Sequence, residues 1–179
     1  MVKTNQAQSE GLNEMREFVL EVMSSMEIWT EKQLRQLSEI KLGVLRKNAT
    51  QRHGVTRWKK GITQPKCPSE VEVIDLHPRL LEKDWRPYGA WVMHHEFVHA
   101  LGFLAHDNMF RKLENLWPSK KSKEMGIRFT EFLRRQRATW ILKCNDCNRE
   151  FPRTKPGKGR YSCRDCKTIL VDINIKSVL

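Results

Sequence analysis

Long apolar runs are missing from this 179-residue sequence. No segment approaches the roughly 20 consecutive apolar residues that are needed to span a bilayer. The first ten residues, MVKTNQAQSE, are polar and lack the apolar core of a secretory signal peptide. These absences predict an intracellular protein, cytoplasmic or associated with the nucleoid, that is neither secreted nor bound to a membrane.

Acidic residues are scarce in the C-terminal third of the chain. Residues 118–179 contain 16 Lys and Arg against 6 Asp and Glu, a net charge of +10, whereas residues 1–117 contain 17 against 15, a net charge of +2. A positive field of this kind attracts polyanions, and nucleic acid is the commonest of these inside cells. The charge alone is equally compatible with a solvated basic surface that aids solubility.

Cysteine occurs only five times, and four of the five form two pairs, CNDC at 144–147 and CRDC at 163–166. Without a secretory signal, this pattern favours metal thiolates over disulfides. Two CxxC knuckles, each beside a predicted strand, can place four thiolates around one ion with no open coordination position. We therefore predict a structural zinc ribbon, with a rubredoxin-type iron centre as the alternative. Its ligands are Cys144, Cys147, Cys163 and Cys166.

The spacing of apolar residues predicts an α+β chain. The predicted elements, in chain order, are a helix over Leu12–Met26, a second helix opened by the capping box Thr30-Glu-Lys-Gln33, strands at Val55–Trp58 and EVEVIDL, a helix after Pro87, a helix through Ile127–Leu133, and strands WILK and TILVDI beside the cysteine pairs. We expect a disordered stretch over residues 1–10, a first domain over 11–120, and a basic helix with the zinc ribbon over 121–179.

His95-Glu96-Phe97-Val98-His99 is an HExxH sequence. Residues four apart lie on one face of a helix, so both imidazoles can bind one zinc ion. Glu96 lies on the flank of that face, where it can take a proton from a metal-bound water. His94 points away from this face and is given no metal role. The alternative is a helix whose histidines are exposed or hydrogen-bonded within the core.

A catalytic zinc needs a third protein ligand, and His106 follows His99 by seven residues. On an unbroken helix this separation would be about 10 Å along the axis, too far for two rings to share an ion. Glycine adopts the left-handed conformation that closes helices, so we predict that the helix ends near Gly102 and that His106 is the third ligand. A glutamate from a later helix, Glu114 or Glu124, is the competing third ligand.

The segment HEFVHALGFLAHDNMF, followed by Arg111 and Lys112, resembles the SprT-like (Spartan-type) zinc metalloproteases. Upstream, RHGVTRW and EVEVIDLHPRLL are similar to the N-terminal half of that family, and the resemblance covers roughly residues 33–173. It implies a zincin-like metalloprotease domain followed by a zinc ribbon. The family usually has glycine after its third histidine, whereas this chain has Asp107.

The segment NREFPRTKPGKGRYS, between the two knuckles, interleaves basic residues with Phe151 and Tyr161. Basic groups can neutralise phosphates while aromatic faces stack on unpaired bases. The alternative is a solvated turn whose aromatic side chains cover the small ribbon. We predict a nucleic-acid surface formed by Arg149, Arg153, Lys155, Lys158, Arg160 and Tyr161.

Together these features predict a monomeric, DNA-associated zinc endopeptidase with one catalytic and one structural Zn²⁺. By resemblance, its substrates would be proteins bound or crosslinked to DNA, including single-stranded DNA, which implies a role in DNA–protein crosslink repair. The competing prediction is a non-enzymatic zinc-ribbon protein that binds nucleic acid and whose HExxH site is structural or vestigial. A third is an enzyme that uses the same zinc-bound water on a substrate other than a peptide.

Overall fold

The computed structural model describes residues 2–175, and the chain divides into two compact units, Met1–Gly126 and Ile127–Leu179. Met1 and residues 176–179, the outer ends of the first and last predicted segments, lie outside the described residues. Over the described part the chain forms five α-helices and two three-stranded sheets, so the α+β prediction is confirmed. No helix within residues 2–175 is long and apolar enough to cross a bilayer.

In the first unit two helices precede three strands and two further helices follow them, whereas strands dominate the second unit. The first unit contains helices α1 (Gln6–Ser24), α2 (Glu31–Ser38), α3 (Arg86–Ala100) and α4 (Asn108–Glu114), strands β1 (Leu42–Val44), β2 (Gly54–Trp58) and β3 (Val71–Leu76), and two short 3-10 helices, Pro68–Glu70 and Pro78–Leu81. Helix α5 (Lys120–Arg137) contains the division at Gly126, and β4 (Trp140–Lys143), β5 (Glu150–Arg153) and β6 (Val171–Asn174) follow it.

Helix α1 begins at Gln6, inside the stretch for which disorder was expected. The reason is a capping box at Asn5, whose side chain accepts a hydrogen bond from the Gln8 amide at 2.8 Å while the Gln8 side chain accepts one from the Asn5 amide at 3.1 Å. Four residues of its predicted apolar stripe are fully buried, whereas Phe18 is 51% exposed. The four are Leu12, Met15, Val19 and Met23.

The sheet of the first unit has the order β1-β3-β2. Strand β3 pairs in parallel with β1 and antiparallel with β2, and all its residues except Glu72 are buried. The two predicted strands, β2 and β3, are confirmed, and so is the capping box of α2, where Thr30 Oγ1 accepts from the Gln33 amide at 3.2 Å. Strand β1 was not predicted, because three residues are too few to show an alternating pattern.

Strand β2 lies against α3 at Gly54. A Cβ atom added there would lie 2.6 Å from Glu96 Oε1 and 2.7 Å from Val92 Cγ1. Real Cβ atoms do not approach other atoms so closely, so only glycine permits this contact between strand and helix. Gly54 therefore determines how closely the sheet approaches the helix that carries the HExxH segment.

The second unit contains a small antiparallel sheet of order β5-β4-β6. Strand β4 is the predicted WILK segment, which confirms that prediction, whereas β6 covers only the VDI half of the predicted strand TILVDI. The sheet has a core of only four buried residues, Leu142, Cys144, Cys163 and Leu170, with Trp140 and Phe151 packed against it. The lysine-rich segment after Pro118, where a boundary near residue 120 was predicted, forms the start of α5, and the chain divides at Gly126.

We predict that Gly54→Ala lowers the free energy of unfolding by about 1–3 kcal/mol, because the added methyl group overlaps Glu96 and Val92. Chemical denaturation measures this change. The matched control is Gly11→Ala on α1, where the added Cβ would be 3.7 Å from Leu81 and helix propensity improves stability by about 0.5–1 kcal/mol. Equal stability of wild type and Gly54→Ala would contradict the close contact.

Candidate metal centres

Helix α3 carries His95 and His99 on one face, one turn apart. Their Nε2 atoms lie 3.2 Å from each other. Proline in the first turn of the helix, at Pro87, occupies a position where no backbone donor is needed. The predicted helix after Pro87 is therefore confirmed, and its C-terminal half presents both histidines to the same point.

The chain reverses direction at Gly102, two residues after the end of α3. Its φ of +99° lies in the left-handed region, and its amide donates to the His99 carbonyl at 2.9 Å. A Cβ atom at this position would lie 2.8 Å from the Lys66 carbonyl oxygen. Glycine is thus required both by the backbone conformation and by space, and the turn brings His106 back towards α3.

Three imidazoles converge in the first unit. The Nε2 atom of His106 lies 3.1 Å from that of His99 and 3.2 Å from that of His95. Three nitrogens held at about 2.0–2.1 Å by a tetrahedral zinc ion lie about 3.3 Å apart. The triad therefore fits a single ion, and among the described residues no fourth His, Cys, Asp or Glu joins it.

The hydrogen bonds on the far side of two rings fix which nitrogen faces the site. His99 Nδ1 lies 2.8 Å from the Phe103 carbonyl, and His95 Nδ1 lies 2.8 Å from Glu114 Oε1. A carbonyl or carboxylate oxygen can only accept, so both Nδ1 atoms carry the proton. In the neutral rings both Nε2 lone pairs then face each other across 3.2 Å, an arrangement that a cation between them stabilises.

Glu114 contacts His95 and is not itself a member of the histidine triad. Its side chain is fully buried and also accepts from Arg111 Nη1 at 3.0 Å, so its oxygens serve as acceptors for two donors. Carboxylates commonly orient metal-binding histidines in this way. Glu124, the other competing candidate, is exposed on α5 and is not part of the triad.

Asp107, the departure from the SprT-like pattern, caps helix α4. Its side chain accepts from the Phe110 amide at 2.9 Å, which satisfies a free amide of the first helical turn. The Phe110 ring is buried and lies 4.6–4.9 Å from the centres of all three imidazoles. Aspartate at this position therefore starts the helix that supplies both Phe110 and Glu114 to the site.

Glu96 lies on the flank of the histidine face and is 5% exposed. Thr56 Oγ1, on β2, donates to Glu96 Oε2 at 2.7 Å. Burial raises the pKa of the Glu96 carboxyl above its usual range, and the hydrogen bond from Thr56 only partly opposes that rise. Glu96 is thus a carboxyl group held in a fixed position with a tendency to bind a proton.

The triad and Glu96 line one cleft with a volume of about 460 Å³. Burial lowers the pKa of His99 to about 4, so its ring is neutral near pH 7 and can act as a ligand. The rest of the lining comes mainly from β2 and the segments on either side of it. Its side chains are those of Arg52, Val55, Thr56, Trp58, Ile62, Thr63 and Pro65.

His94 lies on another face of α3 and is fully buried. Its ring packs against Trp117 with centroids 5.2 Å apart, and burial lowers its pKa to about 4. Within the described residues neither of its ring nitrogens has a hydrogen-bond partner. His94 is therefore a neutral packing residue outside the triad.

The four paired cysteines are positioned to bind one metal ion, since their sulfur atoms all lie within 4.8 Å of one another. The Cys147 and Cys163 sulfurs are 3.7 Å apart, close to the roughly 3.8 Å expected around tetrahedral zinc at 2.3 Å. Hydrogen bonds from the amides of Cys166 and Asp165 lower the pKa of Cys163 to about 7, whereas the neighbouring Cys147 thiol raises that of Cys166. Four thiolates this close together need a cation to ionise jointly.

The two knuckles have matching backbone geometry. The Cys144 amide donates to the Arg149 carbonyl at 2.9 Å, and the Cys163 amide donates to the Thr168 carbonyl at 2.8 Å. Asn148 and Lys167, each one residue after a knuckle, have positive φ values of 56° and 61°. The repetition shows that each CxxC pair folds as the same tight turn.

All six residues predicted to bind nucleic acid are exposed, namely Arg149, Arg153, Lys155, Lys158, Arg160 and Tyr161. Arg149 is paired with Asp165 across the two knuckles. The backbone at Lys158 is held in place, because the Gly157 and Lys158 amides both donate to the Asp172 carboxylate at 2.7 Å. Phe151, which lies between these basic residues in the sequence, packs against the ribbon core.

Comparisons with protein-family models, curated proteins and solved structures find no match to this chain. Three supporting residues, Thr56, Phe110 and Glu114, were not assigned their roles from the sequence. Thr56 is separated from Glu96 by forty positions, and no spacing pattern connects the two. Asp107 followed by an apolar residue three positions later is a capping signal that would have predicted α4.

We predict that Glu114→Gln weakens Zn²⁺ binding at the histidine triad by about 10–100-fold, because the His95 ring loses its charged acceptor. Competition with a chromophoric chelator measures the affinity, and the four-cysteine site provides an internal reference. Glu17→Gln, an exposed position on α1, is the matched control. Unchanged affinity in Glu114→Gln would refute the supporting role.

Cys163→Ser, or removal of metal by a chelator, is expected to unfold the ribbon, because two of the four buried residues in its core are ligands. Hydrogen exchange should show that the amides of β4–β6 lose protection while those of α1 and α3 keep it. Cys67→Ser, at the cysteine outside the two CxxC pairs, should leave both sets unchanged. Persistent protection of the ribbon amides without metal would argue against a structural site.

Proposed function

We propose that this protein is a zinc-dependent endopeptidase of the SprT-like type, with a zincin-like catalytic domain, that acts on proteins bound or crosslinked to DNA. The observation that carries the proposal is the convergence of three Nε2 atoms within 3.2 Å in the cleft that Glu96 also lines. Three neutral nitrogen ligands with no fourth side chain are the donor set of a catalytic zinc.

Zinc bound by His95, His99 and His106 would supply Lewis acidity, lowering the pKa of a bound water and polarising a peptide carbonyl. Glu96 accepts the proton of the attacking water and delivers it to the leaving amine. Burial supports this role, because a carboxyl with a raised pKa can hold the proton between the two steps. Thr56 keeps the Glu96 carboxylate facing the cleft through its 2.7 Å hydrogen bond.

The free edge of β2 favours a polypeptide as the class of substrate. In the described residues β2 pairs only with β3, so its other edge presents unpaired backbone groups. The same strand supplies Gly54, Val55, Thr56 and Trp58 to the cleft wall. An extended peptide can add to such an edge through main-chain hydrogen bonds, which recognise backbone more than sequence.

The basic loop of the ribbon supports association with DNA. Lys158 and Arg160 lie at the anchored loop tip beside the exposed Tyr161, so cationic groups and an aromatic face stand close in the chain. Phosphate neutralisation and base stacking together bind single strands with little sequence preference. Tethering of this kind would restrict proteolysis to places where DNA is present.

Glu96→Gln is expected to lower the rate of cleavage by at least about 100-fold while zinc stays bound, because the amide cannot accept the proton. The measurement is digestion of a histone by the purified, zinc-loaded chain in the presence of single-stranded DNA. Glu17→Gln is the matched control. Equal cleavage by the Glu96 variant would refute the role of Glu96.

A second experiment distinguishes DNA binding by the ribbon from proteolysis at the proposed zinc site. Lys158→Glu with Arg160→Glu should reduce cleavage in the presence of DNA and weaken DNA binding, with little effect on cleavage of an unstructured protein without DNA. Lys32→Glu with Lys41→Glu, exposed in the first unit, controls for net charge. DNA binding by a wild-type protein that cleaves no substrate would instead favour the non-enzymatic zinc-ribbon function.

A further inference from the structure

A second groove lies on the first unit, away from the histidine triad. It has a volume of about 530 Å³ and is lined by residues of α1, the N-terminal half of α3, the segment 117–119 and the start of α5, together with Lys83. None of its lining residues belongs to the metal cleft. The proposed peptide cleavage at the histidine triad does not involve this groove.

The floor of the groove is apolar and aromatic. Met15 and Trp117 are buried, whereas Phe18 is 51% exposed and meets Trp117 edge to face with centroids 6.2 Å apart. Phe18 belongs to the apolar stripe of α1, of which Leu12, Met15, Val19 and Met23 are buried and Val22 is partly buried. A large ring that is left uncovered within such a stripe indicates a surface that another molecule covers.

The rim of the groove is cationic. Lys83 and Arg86 line it, and none of its described lining residues is acidic. The Arg86 guanidinium is 44% exposed and donates to Glu14 at 2.6 Å, which holds it in place at the edge of the groove. An apolar floor with a positive rim complements a group that is bulky and apolar with negative charges beside it.

A protein segment suits this groove better than a free amphiphile. Small-molecule sites enclose most of the surface of their ligand, whereas here Phe18 remains half exposed at the mouth. Aromatic side chains and arginine are also the residues that dominate the energy of protein–protein interfaces. The composition and the open shape therefore point to the same kind of occupant.

We propose that the groove between α1, α3 and the start of α5 docks an acidic segment of a partner protein, with one bulky apolar side chain against Phe18 and Trp117 and flanking carboxylates on Lys83 and Arg86. The segment is recognised by this chemistry and not cleaved there. Docking of this kind would recruit a partner to the protein independently of proteolysis and of DNA binding.

The probe is a fluorescein-labelled peptide, Gly-Asp-Glu-Phe-Leu-Glu-Asp-Gly, titrated into the zinc-loaded full chain and followed by fluorescence anisotropy. Mass spectrometry verifies that the peptide stays intact. Phe18→Ser and Lys83→Glu should each weaken binding by about tenfold, the effect expected for an interface anchor. Ile28→Ser and Lys32→Glu, exposed positions outside the groove, make the same chemical changes and should stay within about twofold of wild type.

Two control peptides test the two parts of the recognition, one with Ser in place of Phe and Leu and one with Lys in place of the acidic residues. Both should bind at least about tenfold more weakly. Equal binding of the serine peptide, or equal losses in the matched variants, would overturn the proposal, because binding would then be non-specific charge attraction. Absence of binding up to millimolar peptide, or binding of dodecanoate with the same dependence on Phe18 and Lys83, would also overturn it.

Discussion

The histidine site depends on the Nε2 lone pairs of His95 and His99, which face each other across 3.2 Å. The protons of His95 and His99 are held on Nδ1 by Glu114 and by the Phe103 carbonyl, so neither ring can relieve the contact by moving its proton to Nε2. A third nitrogen, from His106, lies equally close. A bound cation would turn this repulsion into attraction. The turn at Gly102 brings His106 back towards α3, and the cap at Asp107 starts the helix that carries Glu114.

The two candidate metal sites differ in their surroundings. The ribbon has four cysteine sulfurs around a core of four buried residues, so a bound metal would replace hydrophobic burial that so small a sheet cannot provide. The first unit has an extensive apolar core built on α1, β3 and α3. In the proposed zinc site, three nitrogen donors would leave one coordination position open.

Features whose residues lie close together in the sequence could be predicted, whereas contacts between residues far apart in the sequence could not. HExxH, CxxC and the capping box at Thr30 are local patterns, and the relation between their residues is fixed within one element. Helices α1, α2, α3 and α5, the knuckles and the approximate path through Gly102 were therefore predictable, whereas α4 was not predicted. Contacts such as Thr56 with Glu96 and Glu114 with His95 join separate elements. They follow from the packing of β2 and α4 on α3, which residue spacing does not encode.

Burial of Glu96 disfavours its ionised form. This costs stability whenever the carboxyl is ionised, and it also helps the carboxyl to hold a proton. The folded protein raises the pKa of this carboxyl above its unfolded value, so the folded state holds the proton more tightly. Its contribution to stability is therefore most favourable at low pH and falls as the pH rises through the interval between the unfolded and folded pKa values. Burial disfavours the ionised carboxyl inside the protein, while the hydrogen bond from Thr56 and the close approach of β2 at Gly54 keep its position fixed. In the proposed endopeptidase, a carboxyl held in this way suits a group that gains and loses a proton in each catalytic cycle.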